Sequence, residues 1–204
     1  MIGILDYGLG NILAFVNMYK RLHHPARVVR DAGDLAGVTK LILPGVGAFD
    51  HAMALFNQSG LRPPVEELVF GKQVPMLGIC VGMQMLADSS EEGKLPGLGW
   101  ISGRVARVAA ISGRGSVRLP HMGWNDITVY GNQALFRGLE TDARFYFLHS
   151  YYFATQSETD VLASVEYGTR FTCAVGREQV MGVQFHPEKS HRFGTRLLQN
   201  FAES

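Results

Sequence analysis

Short apolar runs alternate with stretches of helical spacing over the first half of the chain. Ile2 to Leu5 forms the first run and ends at Asp6-Tyr7-Gly8-Leu9-Gly10-Asn11. Beyond it Ile12, Phe15, Val16 and Tyr19 share one helical face, which predicts a helix from about Ile12 to Leu22. Ala26 to Val29 and Leu41-Ile42-Leu43 read as the second and third strands, with a helix near Ala52 to Phe56. Val74-Pro75-Met76-Leu77 reads as a buried strand, and the helix formers Met83 to Ala87 follow after Gly78-Ile79-Cys80-Val81-Gly82. Strands separated by helices, each opening in a glycine turn, predict a parallel sheet covered on both faces. Function in such sheets gathers at the carboxyl ends of the strands. Three of those ends are glycine-rich here: Tyr7 to Gly10, Pro44 to Gly47 and Gly78 to Gly82.

The pattern then changes. Ser89 to Gly93 starts a polar loop that ends at Gly97-Leu98-Gly99, Trp100 to about Val108 alternates as a strand, and Ile111 to Val117 reads as a flexible connection or hairpin tip. His121-Met122-Gly123-Trp124-Asn125 reads as a loop that groups an imidazole, an indole and an amide. Arg144 to Leu148 is an aromatic strand. Val161 to Val165, Phe171 to Val175 and Val180 to Phe185 follow so closely that an antiparallel patch is expected, and a last helix spans about Gly194 to Phe201. The expected fold is α/β: a mostly parallel central sheet flanked by helices, with a smaller antiparallel sheet patch, in one domain over residues 1–204.

Composition narrows the function without choosing it. Hydrophobic residues make up 47% and charged residues 18% of 204 positions, ordinary for a globular chain. A net charge of +1 with scattered basic residues disfavours a nucleic-acid partner. No apolar run approaches the ~20 residues that span a bilayer, and Met1 leads into no charged-then-apolar leader, so a cytoplasmic protein is expected. Two cysteines, Cys80 and Cys173, suit a reducing compartment.

Cys80 carries the chemistry. A glycine–x–cysteine–x–glycine pentapeptide between strand and helix has the pattern of a nucleophile elbow, with Gly78 and Gly82 where a Cβ would obstruct the turn. A sulfur at a helix N-terminus is favoured as thiolate, the attacking species. A buried structural cysteine is the competing reading. A nucleophile needs a base, and the base needs an orienting group. His186, in Gln184-Phe185-His186-Pro187-Glu188, follows an apolar strand and is held extended by Pro187. In extended chain Glu188 lies on the same side and reaches the imidazole. A surface histidine beside a solvated glutamate competes with that reading. In Gly45-Val46-Gly47, unshielded backbone N–H groups suit an oxyanion, with a plain turn as the alternative and a peptide flip as a third. Gly8-Leu9-Gly10 lacks the third glycine of a dinucleotide loop and reads as a tight turn. Metal-ligand spacing is missing, so neither metal nor cofactor is expected.

Together these segments resemble the class I (triad) glutamine amidotransferases. The likeness runs through Asp6 to Asn11, Leu43 to Phe49, Pro75 to Leu86, Pro120 to Asn125, Phe145 to Tyr152 and Gly182 to Ser190. The His-Met-Gly-Trp-Asn and His-Ser-Tyr-Tyr segments are most similar to the subfamily of glutaminase subunits that serve imidazole glycerol phosphate synthases. The resemblance implies that Cys80 attacks the glutamine side-chain amide, His186 moves the proton and Glu188 orients His186. It further implies oxyanion donors from Val81 and from Gly45, Val46 or Gly47, with Gln84, Ser150, Tyr151 and Glu92 holding glutamine. His121 and Trp124 resemble the face toward the synthase. The implied partner is a (β/α)8-barrel cyclase in a heterodimer, receiving ammonia for histidine biosynthesis. Related subunits that feed surface-sugar amidation, and an unrelated cysteine hydrolase using Cys80 and His186, are the alternatives. Val81, Ala14 and His191 depart from the usual residues (Leu, Ser and Gly) at their positions.

Overall fold

A computed structural model describes residues 1–108 and 117–204. Its first strands are β1 (Ile2–Leu5), β2 (Ala26–Val29), β3 (Lys40–Gly45) and β4 (Met76–Cys80). These are followed by β5 (Ser89–Ser90), β6 (Gly103–Arg107), β7 (His121–Val129) and β8 (Arg144–His149). The last four are β9 (Tyr151–Thr155), β10 (Val161–Tyr167), β11 (Thr169–Arg177) and β12 (Val180–Val183). The helices are α1 (Ile12–Arg21), α2 (Phe49–Gln58), α3 (Arg62–Glu66), α4 (Val81–Gln84) and α5 (His191–Glu203).

Nine strands form one mixed sheet in the order β2-β1-β3-β4-β12-β11-β10-β7-β8. From β2 to β12 the pairings are parallel; from β12 to β8 they are antiparallel. The antiparallel patch is thus continuous with the parallel part, and β12 is the strand where direction changes. A second sheet, β5-β6-β9, lies beside it. The chain passes from the large sheet to the small one between His149 and Tyr151, so Ser150 is a sheet-to-sheet joint.

Burial explains why these elements form. Every residue of β1, β3 and β4 is buried, as expected for strands covered by helices on both faces. Helix α1 buries Phe15, Met18 and Tyr19, and ends in Lys20 and Arg21 where the helix dipole favours cations. Helix α5 buries Leu197, Leu198 and Phe201. Phe145 and Phe185 stack with centroids 3.9 Å apart, which ties β8 to the segment that follows β12.

Several expectations shift in detail. β4 starts at Met76 and runs through Cys80, because the first elbow glycine belongs to the strand end. The helix expected over Met83 to Ala87 is the four-residue α4, which opens directly at Val81. α5 starts three residues earlier than the apolar pattern suggests, at His191. His121 to Asn125 is not a loop but the start of β7, paired across to β8 from His121↔His149 to Asp126↔Arg144. Helix α3, with Pro63 and Pro64 in its first turn, has no clear signal in the sequence because prolines there look like breakers. Of the connection expected from Ile111 to Val117, all but Val117 lies outside the described residues.

Candidate active site

Cys80 sits at the last position of β4 with φ 56° and ψ −113°, a left-handed backbone that a β-substituted residue adopts only under constraint. The constraint is visible on both sides. A Cβ on Gly78 would stand 2.6 Å from the Gly82 carbonyl oxygen, and one on Gly82 would collide with the carbonyl of Leu43. The elbow is pressed against β3, whose Gly45 is in register with Cys80. A Cβ on Gly45 would in turn collide with the Gly82 backbone nitrogen. Tyr7, from the first glycine-rich strand end, buttresses the same loop by donating its hydroxyl to the Pro44 carbonyl at 2.7 Å.

His186 arrives by the neighbouring strand. β12 pairs in parallel with β4, Val183 opposite Ile79, so the chain leaves both strands at the same edge. The His186 backbone is pinned there: its N–H donates to the Tyr146 carbonyl, 2.9 Å, and its carbonyl accepts from Ser190 Oγ, 2.6 Å. Its Nδ1 stands 2.9 Å from Glu188 Oε1, and both side chains are buried. With Nδ1 donating to the carboxylate, Nε2 is the nitrogen left to exchange a proton with sulfur. Burial alone would lower the pKa of this imidazole. Hydrogen bonds to Cys80 and Glu188, and the negative charge of both, outweigh it and push the value up to about 10. The arrangement sets a buried, carboxylate-oriented base against the sulfur, the pairing through which a cysteine can be activated to attack a carbonyl carbon.

A cleft of about 280 Å³ opens over the sulfur, and it gathers most of the expected substrate contacts: Val46, Gly47, Val81, Gln84, Glu92, Ser150 and Tyr151. Gly45 lies just behind, against the elbow. Gln84 donates both amide hydrogens to the protein, at 3.1 Å to the Tyr151 carbonyl and 3.0 Å to Gln184 Oε1. What it offers the cleft is therefore its carbonyl oxygen. Glu92 accepts from the Phe49 N–H that opens α2, at 2.9 Å, through one of its two oxygens. Pro120, Leu148 and His149 also line the cleft and were not singled out from sequence, although His149 heads the His-Ser-Tyr-Tyr segment.

His121 does not lie on the outer face expected of it. It is 2% exposed, its ring between Phe147 and Tyr167 at 4.7 and 4.1 Å, whereas Trp124 is 41% exposed. The cause is strand parity: residues three apart on β7 point to opposite faces. Met122, Trp124 and Leu148 form the outward face of β7 and β8, and His191 stacks flat on Trp124 at 5.2 Å. His121 Nδ1 instead meets His149 Nε2 at 3.0 Å inside the protein. Burial lowers the pKa of His121 to about 4. Burial also takes His149 down to about 3, helped by the neighbouring His121 and His186 and opposed by its bond to the Tyr151 carbonyl.

The signs of these shifts oppose each other. Below about pH 6.5 the unfolded chain protonates both inner histidines while the fold refuses those protons, so the pair costs stability as pH falls toward 4. The contribution of His186 is full below about pH 6.5 and is lost as pH rises toward 10. Long-range proton–nitrogen NMR should find His121 and His149 neutral at about pH 5 and His186 protonated at about pH 8. A His149 ring that titrates near its ordinary value would contradict the buried pair.

Comparison with known proteins matches this frame throughout. The family model described as "Glutamine amidotransferase class-I" matches residues 4–204. The chain belongs to the class I glutamine amidotransferases. It is 62% identical to an imidazole glycerol phosphate synthase subunit HisH of Bdellovibrio bacteriovorus, over 100% of both chains. It is 48% identical to the same subunit of Leptospira interrogans, covering 99% of each chain. Among solved structures, a glutamine amidotransferase superposes with TM-score 0.70 at 25% identity, covering 97% of this chain and 98% of that one. A glutamine amidotransferase from Thermotoga maritima shares the fold at TM-score 0.63 and 17% identity, covering 99% of this chain and 82% of that one. Among the described residues no helix of this amidotransferase is long and apolar enough to cross a membrane. Nor do three or more His, Cys, Asp or Glu side chains stand together there as a metal site.

Proposed function

We propose that this amidotransferase is the glutaminase subunit of an imidazole glycerol phosphate synthase, hydrolysing glutamine and supplying ammonia for histidine biosynthesis. The observation that carries the reading is the convergence of Cys80, His186 and Glu188 at one sheet edge under a cleft of about 280 Å³. Full-length identity of 62% to a synthase subunit supports the choice of pathway.

In this scheme the Cys80 proton passes to His186 Nε2, and the thiolate adds to the glutamine amide carbon. Negative charge collects on the amide oxygen, for which Val81 and the Gly45–Gly47 backbone supply N–H groups. His186 returns its proton to the departing nitrogen, ammonia leaves, and a glutamyl thioester remains. Water activated by His186 hydrolyses the thioester to glutamate and restores the thiol. Gln84, Glu92 and the Ser150–Tyr151 backbone hold the amino acid. Glu188 keeps Nδ1 protonated, so Nε2 remains the working nitrogen. Glu188→Gln should therefore lower kcat at least tenfold less than His186→Ala, whose loss is on the order of 10²–10⁴-fold, both measured as glutamate released. Equal losses would make Glu188 a proton carrier rather than an orienting group.

Ammonia freed into water at neutral pH is mostly protonated and no longer nucleophilic, so a partner must cover the cleft. The outward face of Met122, Trp124 and Leu148 borders the cleft at Leu148 and offers apolar area for that purpose. The proposed partner is a (β/α)8-barrel cyclase, the lyase half of a cytoplasmic heterodimer. The deciding experiment co-expresses the chain with that cyclase and assays glutamine-dependent synthesis. Co-elution and synthesis are expected, together with weak glutaminase activity from the chain alone. Failure to associate would overturn the assignment.

A further inference from the structure

One carbonyl sets the direction of the chain of amide hydrogen bonds that leads to Cys80. The Tyr151 main-chain oxygen can only accept, and it lies 3.1 Å from Gln84 Nε2 and 2.8 Å from His149 Nδ1. Gln84 must therefore turn its amide nitrogen, not its oxygen, toward Tyr151. The same nitrogen stands 3.0 Å from Gln184 Oε1, so Gln184 is oriented as well. Its own nitrogen then faces Cys80 Sγ at 3.8 Å, within the range of a hydrogen bond to sulfur. Turning either amide over would set acceptor against acceptor at Tyr151 or donor against donor between the two glutamines.

The other branch fixes that carbonyl from behind. Because His149 Nδ1 donates to Tyr151, its Nε2 accepts, and His121 Nδ1 must donate to it. His121 Nε2 then accepts from Asn125 Nδ2 at 3.2 Å, and that amide also donates to the Glu166 carbonyl at 3.1 Å. A second proton on either histidine would place two N–H groups face to face, and the low values of about 4 and 3 agree with both rings staying neutral.

We propose that Gln184 is a further catalytic residue, donating its side-chain amide hydrogen to the Cys80 thiolate in an orientation dictated by the Tyr151 carbonyl through Gln84. The proposal rests on Cys80 being the nucleophile. Gln184 is fully buried, which makes a donor there costly unless it has an anion or acceptor to serve. Its peptide N–H is held by the Cys173 carbonyl at 2.8 Å, so the side chain leaves the β12 edge from a fixed point. A thiol gains little from an N–H donor, whereas a thiolate gains the strength of a charge-assisted bond. The effect on ground-state thiol is small and on the attacking species large, which is the condition for raising rate.

The test combines labelling and turnover. The full chain is alkylated with iodoacetamide from about pH 5 to 10, Cys80 modification is read by mass spectrometry, and glutaminase kcat and KM are measured with the cyclase partner bound. Cys173, wholly buried and with its thiol raised well above the ordinary value by burial, serves as the unlabelled internal control. In Gln184→Met the pH of half-maximal labelling should rise by about one unit and kcat should fall about tenfold, with KM little changed. Gln184→Glu, which sets a carboxylate against the sulfur, should shift both further in the same direction. An unchanged labelling profile and kcat in a folded Gln184→Met would overturn the proposal and leave the nucleophile intact. Full turnover in Cys80→Ala would instead overturn the reading beneath it. Should the Gln184 variants not fold, wild type still decides. The Gln184 side-chain amide protons should move downfield as Cys80 ionises and stay still in Cys80→Ala. Signals indifferent to Cys80 would sink the idea.

Discussion

Cys80→Ala removes glutamine-dependent synthesis by the complex, a loss of at least about 10³-fold, while the partner goes on using added ammonium at its ordinary rate. The first half follows from geometry. Cys80 lines the cleft as the proposed nucleophile, and His186, pushed up to about 10 by Cys80 and Glu188 against the effect of burial, has no use for its proton without the sulfur. Alanine occupies the same volume less one atom, so β4 and its pairing with β3 should persist, and thermal unfolding measured alongside should confirm an intact fold. The second half follows from the division of labour. The amidotransferase family model spans residues 4–204, and the acceptor reaction is assigned by the proposal to the partner chain. Loss of ammonia-dependent synthesis as well would mean that Cys80 serves the acceptor reaction too. Such a result would remove the proposed split between the two chains.

The parallel half of this fold was legible because its strands are short, largely apolar runs, three of them closed by glycine-rich turns. Ile2 to Leu5 and Ala26 to Val29 appear in the structure with the bounds the pattern predicts. The elbow was legible for a stronger reason: Gly78 and Gly82 are demanded by backbone collisions, so their spacing around Cys80 carries geometry directly. His186 and Glu188 were legible because Pro187 limits the chain between them. What stayed hidden depends on partners far away in sequence. Asn125, His121, His149, Gln84 and Gln184 become a network only when β7, β8, β9, α4 and the end of β12 are assembled. His121 is expected on the wrong face because His-Met-Gly-Trp-Asn, with its glycine and mixed side chains, lacks the regular alternation that announces a strand. Once β7 is recognised as a strand, parity alone puts His121 inside and Trp124 outside.

Gly82→Ala should be the most damaging change outside the proposed catalytic residues. The added methyl would run into the Leu43 carbonyl oxygen and lie 2.9 Å from its carbon, against main chain that no rotamer can move aside. Relief requires the end of β3 to part from the elbow. Yet β3 carries Gly45, whose missing Cβ lets it pack on the Gly82 nitrogen, and leads into Val46 and Gly47, the proposed oxyanion donors. Overpacking of this kind costs about 1–3 kcal/mol of stability. Displacement by about 1 Å of groups meant to meet an oxyanion costs roughly another 10²-fold in rate. The expected result is a lowered urea midpoint together with a kcat drop of about 10²-fold, while Cys80 stays open to alkylation. Gly60→Ala, outside the cleft lining, separates the two causes. An alanine there meets nothing within 4 Å, but the backbone sits at φ +74°, so strain of about 1–2 kcal/mol is the whole structural cost. If Gly82→Ala merely lowered stability, as Gly60→Ala should, and kept its rate, the contact between β3 and the elbow would hold the fold together without aiming the proposed oxyanion donors. Those donors would then have to be set by something other than the interlocked glycines.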